Sequence, residues 1–142
     1  GGCEYVSSTT GETVFSNFFP GSGVDTAQPV KAFVYDNPMQ TFIIASDASL
    51  TNEATARAAT FANADFSDGA AGSTSTGLSS GKLAVSTIAD TAAHHLRIMG
   101  ILDDVENSDF SAAGIPLIVR LNNSFNSPNG GIAAGTPSTT GV

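Results

Sequence analysis

Gly77-Leu78-Ser79-Ser80-Gly81 spells G-x-S-x-G, the pattern that presents a serine as a nucleophile on a tight strand-to-helix turn. Asp90, His94 and His95 follow, an acid and two imidazoles in the chain order of a hydrolase triad. The chemistry would be acyl transfer through Ser79. The context opposes it: a Gly/Ser/Thr loop precedes Ser79 where the elbow needs a strand, and strand-like sequence follows where it needs a helix. Gly72 and Gly77 have the glycine spacing of a phosphate-binding loop, but Leu78 stands where that loop needs lysine. Gly81-Lys82 supplies the lysine without the upstream glycine, so neither half has both the cradle and the cation.

The remaining candidates are weaker in their chemistry. His94 and His95 are adjacent, so a strand would turn them to opposite faces, away from a shared metal ion. An interfacial histidine would make assembly pH-sensitive. Asp103, Asp104, Glu106 and Asp109 crowd one segment without the glycine and terminal glutamate of a helix-loop-helix calcium site, which suits a solvated acidic loop. Calcium or a basic neighbour is the functional alternative for it. Cys3 is the single cysteine, so an internal disulfide is impossible and a small buried residue is expected. Asn122-Asn123-Ser124 is a formal glycosylation sequon, but no signal-peptide pattern accompanies it. No catalytic residue, metal ligand or cofactor is therefore expected.

The composition points to covered surfaces rather than to chemistry. The chain has 142 residues, 41% hydrophobic and only 13% charged, against roughly 25% charged in ordinary proteins. Its polar surface must come from Ser, Thr, Asn and Gly, which carry little rotamer entropy and no charge to desolvate. Five cations against 13 acids give a net charge of −8. Such a chain cannot neutralise many phosphates, which argues against nucleic acid and against an anionic membrane. No apolar run reaches the roughly 18 residues of a membrane helix. Tryptophan is absent, which leaves stacking platforms poorly supplied.

The elements that must position these residues read as mainly β. Residues 12–15 suggest a short strand, followed by Phe18-Phe19-Pro20-Gly21, an apolar anchor and a turn. Val30 to Tyr35 and Thr41 to Ala45 are rich in β-branched and aromatic residues, with a turn at Asp36-Asn37-Pro38. They form a candidate strand pair, although the turn lacks the Asn-Gly hairpin signal. Residues 51–60 are the one helix candidate, capped by Thr51 or Asn52 and bearing a Glu53–Arg57 i,i+4 pair. Residues 82–88, 94–102 and 115–121 return to strand character, with Pro116 suited to a strand start or an edge.

This pattern predicts a small β-barrel or β-sandwich with one short helix and extended arms. The divisions are an N-terminal arm at 1–29, a β domain at 30–121 and a C-terminal tail at 122–142. The tail is too poor in apolar groups to order itself, so a neighbouring subunit is the simplest surface for it. Phe15, Phe18, Phe19, Phe125 and Ile132 are the expected interface anchors.

The run Val34-Tyr35-Asp36-Asn37-Pro38, with Thr41-Phe42, Asp47 and Leu50, resembles a pattern in structural proteins of tailed bacteriophages, such as phages of cyanobacteria and other aquatic bacteria. The similarity continues through Ala62 to Phe66, Gly72 to Gly77, Leu96-Arg97-Ile98-Met99-Gly100 and Ile118 to Asn123. It departs at Asp47-Ala48, where such proteins often have Asp-Gly. The resemblance implies a virion head protein of the decoration (cement) type on the capsid exterior, with no catalytic residues. The partners it implies are the major capsid protein and further copies of the chain. A homotrimer is expected, since closed symmetry suits repeated lattice sites. Another virion component (tail, fibre or adhesion module) or a secreted, self-assembling β-rich surface protein is the alternative.

Overall fold

Apolar residues at every second position of the last two strong strands dictate where the core forms. The computed structural model describes residues 1–67, 69, 71–103 and 109–122. Phe125, Ile132 and the rest of the tail from 123, with Asp104 and Glu106 of the acidic segment, lie outside the described residues.

The described residues are mainly β and divide into two compact units, Gly1–Tyr35 with Ala71–Ser80, and Asp36–Ala70 with Gly81–Val142. This division follows contacts rather than composition: residues 1–29 share their unit with the strand at 31–33 and with the Gly/Ser/Thr loop.

The first unit holds an open three-stranded antiparallel sheet of β1 (Gly2–Val6), β2 (Thr13–Ser16) and β3 (Lys31–Phe33), in the order β2-β1-β3. Cys3 is its one buried hydrophobic residue, and its thiol donates to the Phe18 carbonyl at 3.2 Å. The expected small buried cysteine is found. The Gly/Ser/Thr loop closes on itself through a bridge between Ser73 and Leu78. Asn17 Nδ2 donates to the Thr76 carbonyl at 3.0 Å.

The second unit holds the core. β4 (Thr41–Ala45), β5 (Asn63–Ala64), β8 (Leu96–Ile101) and β9 (Pro116–Leu121) form an open sheet ordered β4-β9-β8-β5. β6 (Phe66–Ser67) and β7 (Lys82–Leu83) form a small second sheet. Leu83, Leu96, Ile98, Ile115, Leu117 and Val119 are buried together with Leu50 and the helix alanines. β8 carries a bulge between Ile98 and Gly100. The extra residue places Ile101, not Gly100, opposite Leu117, and so keeps a branched side chain on the core face. The partial alternation of 94–102 in the sequence has this cause. Pro116 begins β9, where its missing N–H costs the ladder least.

Three expectations are corrected. The segments around 30–35 and 41–45 do not pair: β3 joins β1, and β4 joins β9. Strand sequence at 82–88 yields only β7, because a 3-10 turn at Val85–Thr87 follows it. Asp47 Oδ1 accepts the Val85 N–H at 2.9 Å and starts that turn. The strand expected from 94 begins at Leu96, because both histidine side chains are drawn onto a carboxylate before it.

The helix matches its sequence signals. α1 (Glu53–Ala58) is capped by Asn52, whose Oδ1 accepts the Thr55 N–H at 2.9 Å. Arg57 pairs with Glu53 at 2.5 Å. Thr51 and Phe61, on either side of α1, have φ of +67° and +71°. Side chains rarely adopt this left-handed region, so packing must hold both turns. The Phe61 N–H is tied to the Ile98 carbonyl at 2.7 Å. Asn52→Ala is expected to cost about 1 kcal/mol, read as a lower denaturant midpoint at unchanged m-value. Asn52→Ser should recover most of it.

Candidate interaction surface

Ser79 belongs to the first unit, whereas Asp90, His94 and His95 belong to the second. A turn, rather than a strand, precedes Ser79. The glycines around it serve the backbone. A Cβ on Gly72 would lie 2.7 Å from the Leu78 carbonyl oxygen, and one on Gly77 would overlap the Asn17 side chain. Gly77 also has φ +68°. The glycine spacing that suggested a phosphate cradle thus belongs to a turn packed against Asn17. A groove of about 460 Å³ lies between Phe18-Phe19 and this loop.

His94 and His95 correct the opposite-faces expectation. Both present Nδ1 to Asp65, each at 2.7 Å, one on either carboxylate oxygen. They can do so because they sit in an irregular turn ahead of β8, where the two-residue alternation does not apply. The His95 N–H adds a third bond to Asp65 at 3.0 Å. Burial opposes ionisation of Asp65. The hydrogen bonds from His95 and His94, with the charge of His94, outweigh it and lower the Asp65 pKa from 3.8 to about 2. Asn63 Nδ2 holds the Thr91 carbonyl at 3.1 Å, and Asn122 Nδ2 holds the carbonyls of Ala92 and His94 at 3.2 and 3.0 Å. The cluster is a polar clamp on the turn at 91–95. No sequence signal pairs Asp65 with residues 29 and 30 positions away.

In the acidic segment, Asp109 accepts the Ser111 N–H and hydroxyl, and these bonds lower its pKa. Among the described residues no group of three or more His, Cys, Asp or Glu side chains could hold a metal ion. A groove of about 610 Å³ beside α1 is lined by Leu50, Thr51, Ala59, Val85, Ile88 and Asp90, a mostly apolar set without a paired acid and base.

The distribution of apolar side chains is the feature that stands out. Phe15, Phe19, Val30, Phe33, Val34, Tyr35 and Leu78 of the first unit are all exposed, Phe15 by 70%. Of the sequence-derived anchors, Phe15 and Phe19 are exposed and Phe18 is half-buried. Phe33 and Leu78 were missed. Phe33 sits in a run read only as a candidate strand, and the face it takes depends on which strand β3 joins.

Register places these side chains. Phe15, Glu4 and Lys31 form one row across β2, β1 and β3, and opposed residues share a sheet face. Gly2 and Phe33 form the next row on that face, two residues along. Lys31 Nζ bonds Glu4 Oε1 at 2.8 Å. Two phenyl rings thus share a face with an ion pair, and an open recess of about 400 Å³ touches both of them together with Gly1, Cys3 and Ser16. Such an arrangement can bind another surface. No family model, curated protein or solved structure matches the chain.

Proposed function

We propose that the chain is a non-enzymatic structural protein of a phage virion, a decoration protein that binds and stabilises the outside of the capsid shell. The observation that carries this reading is the contrast between the two units. The larger unit holds the hydrophobic core as well as exposed Met39, Ile43, Phe61, Phe66 and Leu121, while the smaller unit exposes seven large apolar side chains with Cys3 as its one buried hydrophobic residue. Exposed apolar area of this kind marks a contact surface. The scarcity of charge lowers the desolvation cost of covering it. The phage resemblance of residues 33–125 names the shell. The major capsid protein and further copies of the chain are the proposed partners.

Mixing the chain with empty shells and pelleting them tests the reading. Saturable co-sedimentation and a higher shell melting temperature are expected. A chain lacking residues 123–142 should bind at least tenfold more weakly if the tail adds a contact. Undiminished binding would remove the tail from the interface. No binding to shells would sink the decoration reading. An esterase activity abolished by Ser79→Ala would overturn the non-enzymatic one.

A further inference from the structure

A three-stranded sheet is stable in water when an apolar face is covered. One face of the first unit's sheet turns Cys3 inward. The opposite face carries Phe15, Glu4, Lys31 and Phe33, with the two rings 70% and 50% exposed. We infer that this face docks onto the same face of a second copy of the chain, in a two-fold pair. The inference rests on the assembly reading above and names the partner of that surface.

Charge supplies the first argument. The chain as a whole carries −8 and repels its copies. On this face Glu4 and Lys31 cancel, so like-charged copies can approach here. A two-fold contact must be complementary to itself, and a face bearing one anion and one cation meets that condition. Shape supplies the second. The face carries two projecting rings, and an open recess touches both Phe15 and Phe33, so the rings of one copy have room against those of the other. A Lys31 ammonium beside the partner's exposed ring would add a cation–π contact. A three-stranded face is small beside the roughly 800 Å² per partner of a stable complex. The pair should therefore be weak in solution and reinforced by multiple attachment on a lattice.

Sedimentation velocity of the full chain across a concentration series tests the pairing. Mass should rise from one copy to two in the micromolar to millimolar range. Phe15→Asp combined with Phe33→Asp should weaken pairing at least tenfold, and Lys31→Glu alone should do the same by opposing like charges. Glu4→Lys with Lys31→Glu should return it to within about threefold, because the exchanged pair is again self-complementary. Circular dichroism shows whether each variant is folded. For any that is not, zero-length cross-linking of mixed isotope-labelled and unlabelled wild-type chains replaces it, with Glu4–Lys31 links between labelled and unlabelled copies expected. A chain monomeric throughout, pairing indifferent to Phe15 and Phe33, a folded charge exchange that fails to restore it, or no mixed-isotope links would each overturn the inference. Shell binding by the same samples separates the two readings. A monomer that binds shells through Phe15 and Phe33 ends the pairing and leaves decoration standing. A pair that binds no shell does the reverse.

Discussion

Ile98→Ala is expected to destabilise the protein by about 3–4 kcal/mol, the largest effect of any single truncation considered. Ile98 is fully buried, lies opposite Val119, and belongs to a strand with neighbours on both sides. Its backbone also bonds Ala62 and Phe61, the residues that lead the chain out of α1. Removing the side chain loses its transfer free energy and leaves a cavity that two flanking strands cannot readily collapse. Ile43→Ala is the control. Ile43 belongs to the same sheet and is 65% exposed, so its loss should stay within about 0.5 kcal/mol. Urea titrations of both variants provide the comparison. Equal midpoint shifts would place the core elsewhere.

Asp65→Asn carries the second-largest effect and a distinct pH signature. The folded pKa of about 2 lies below the ordinary 3.8. A depressed carboxyl contributes stability that is complete above its unfolded pKa and disappears as pH falls through the folded one. The difference between wild type and Asp65→Asn should therefore be about 1–2 kcal/mol at pH 5 and shrink towards zero between pH 4 and pH 2. Full linkage would give more, but the carboxylate is 31% exposed and solvent screens part of it. Asn cannot accept at both positions, so the turn at 91–95 should also loosen, with faster amide exchange at His95. A difference that stays constant with pH would show that the two imidazoles do not bind an ionised Asp65.

Segments with strong local signals were legible. Thr41 to Ala45 is a strand because β-branched and aromatic residues fit a pleated, half-buried surface. α1 begins where Asn52 can cap it and carries the expected Glu53–Arg57 pair. Segments with weak signals were not. Asn63–Ala64 and Phe66–Ser67 are strands only because neighbours supply their hydrogen bonds. Gly2–Val6 falls in the segment read as an N-terminal arm, yet it is the central strand of its sheet. The Asp65 cluster was invisible because no periodicity connects a carboxylate with histidines 29 and 30 positions later.

The amino-acid sequence alone determined the β character, the single capped helix, the acidic low-charge surface and the poor context of Ser79. These depend on residue type and on neighbours within a few positions, where propensity, capping and charge act. Tertiary structure decided which strands pair, that Phe15 and Phe33 share one exposed face with Glu4 and Lys31, and that two histidines share Asp65. Those outcomes depend on contacts between distant segments. The short-range pattern leaves such pairings degenerate until burial of Ile98, Leu117 and their neighbours selects one.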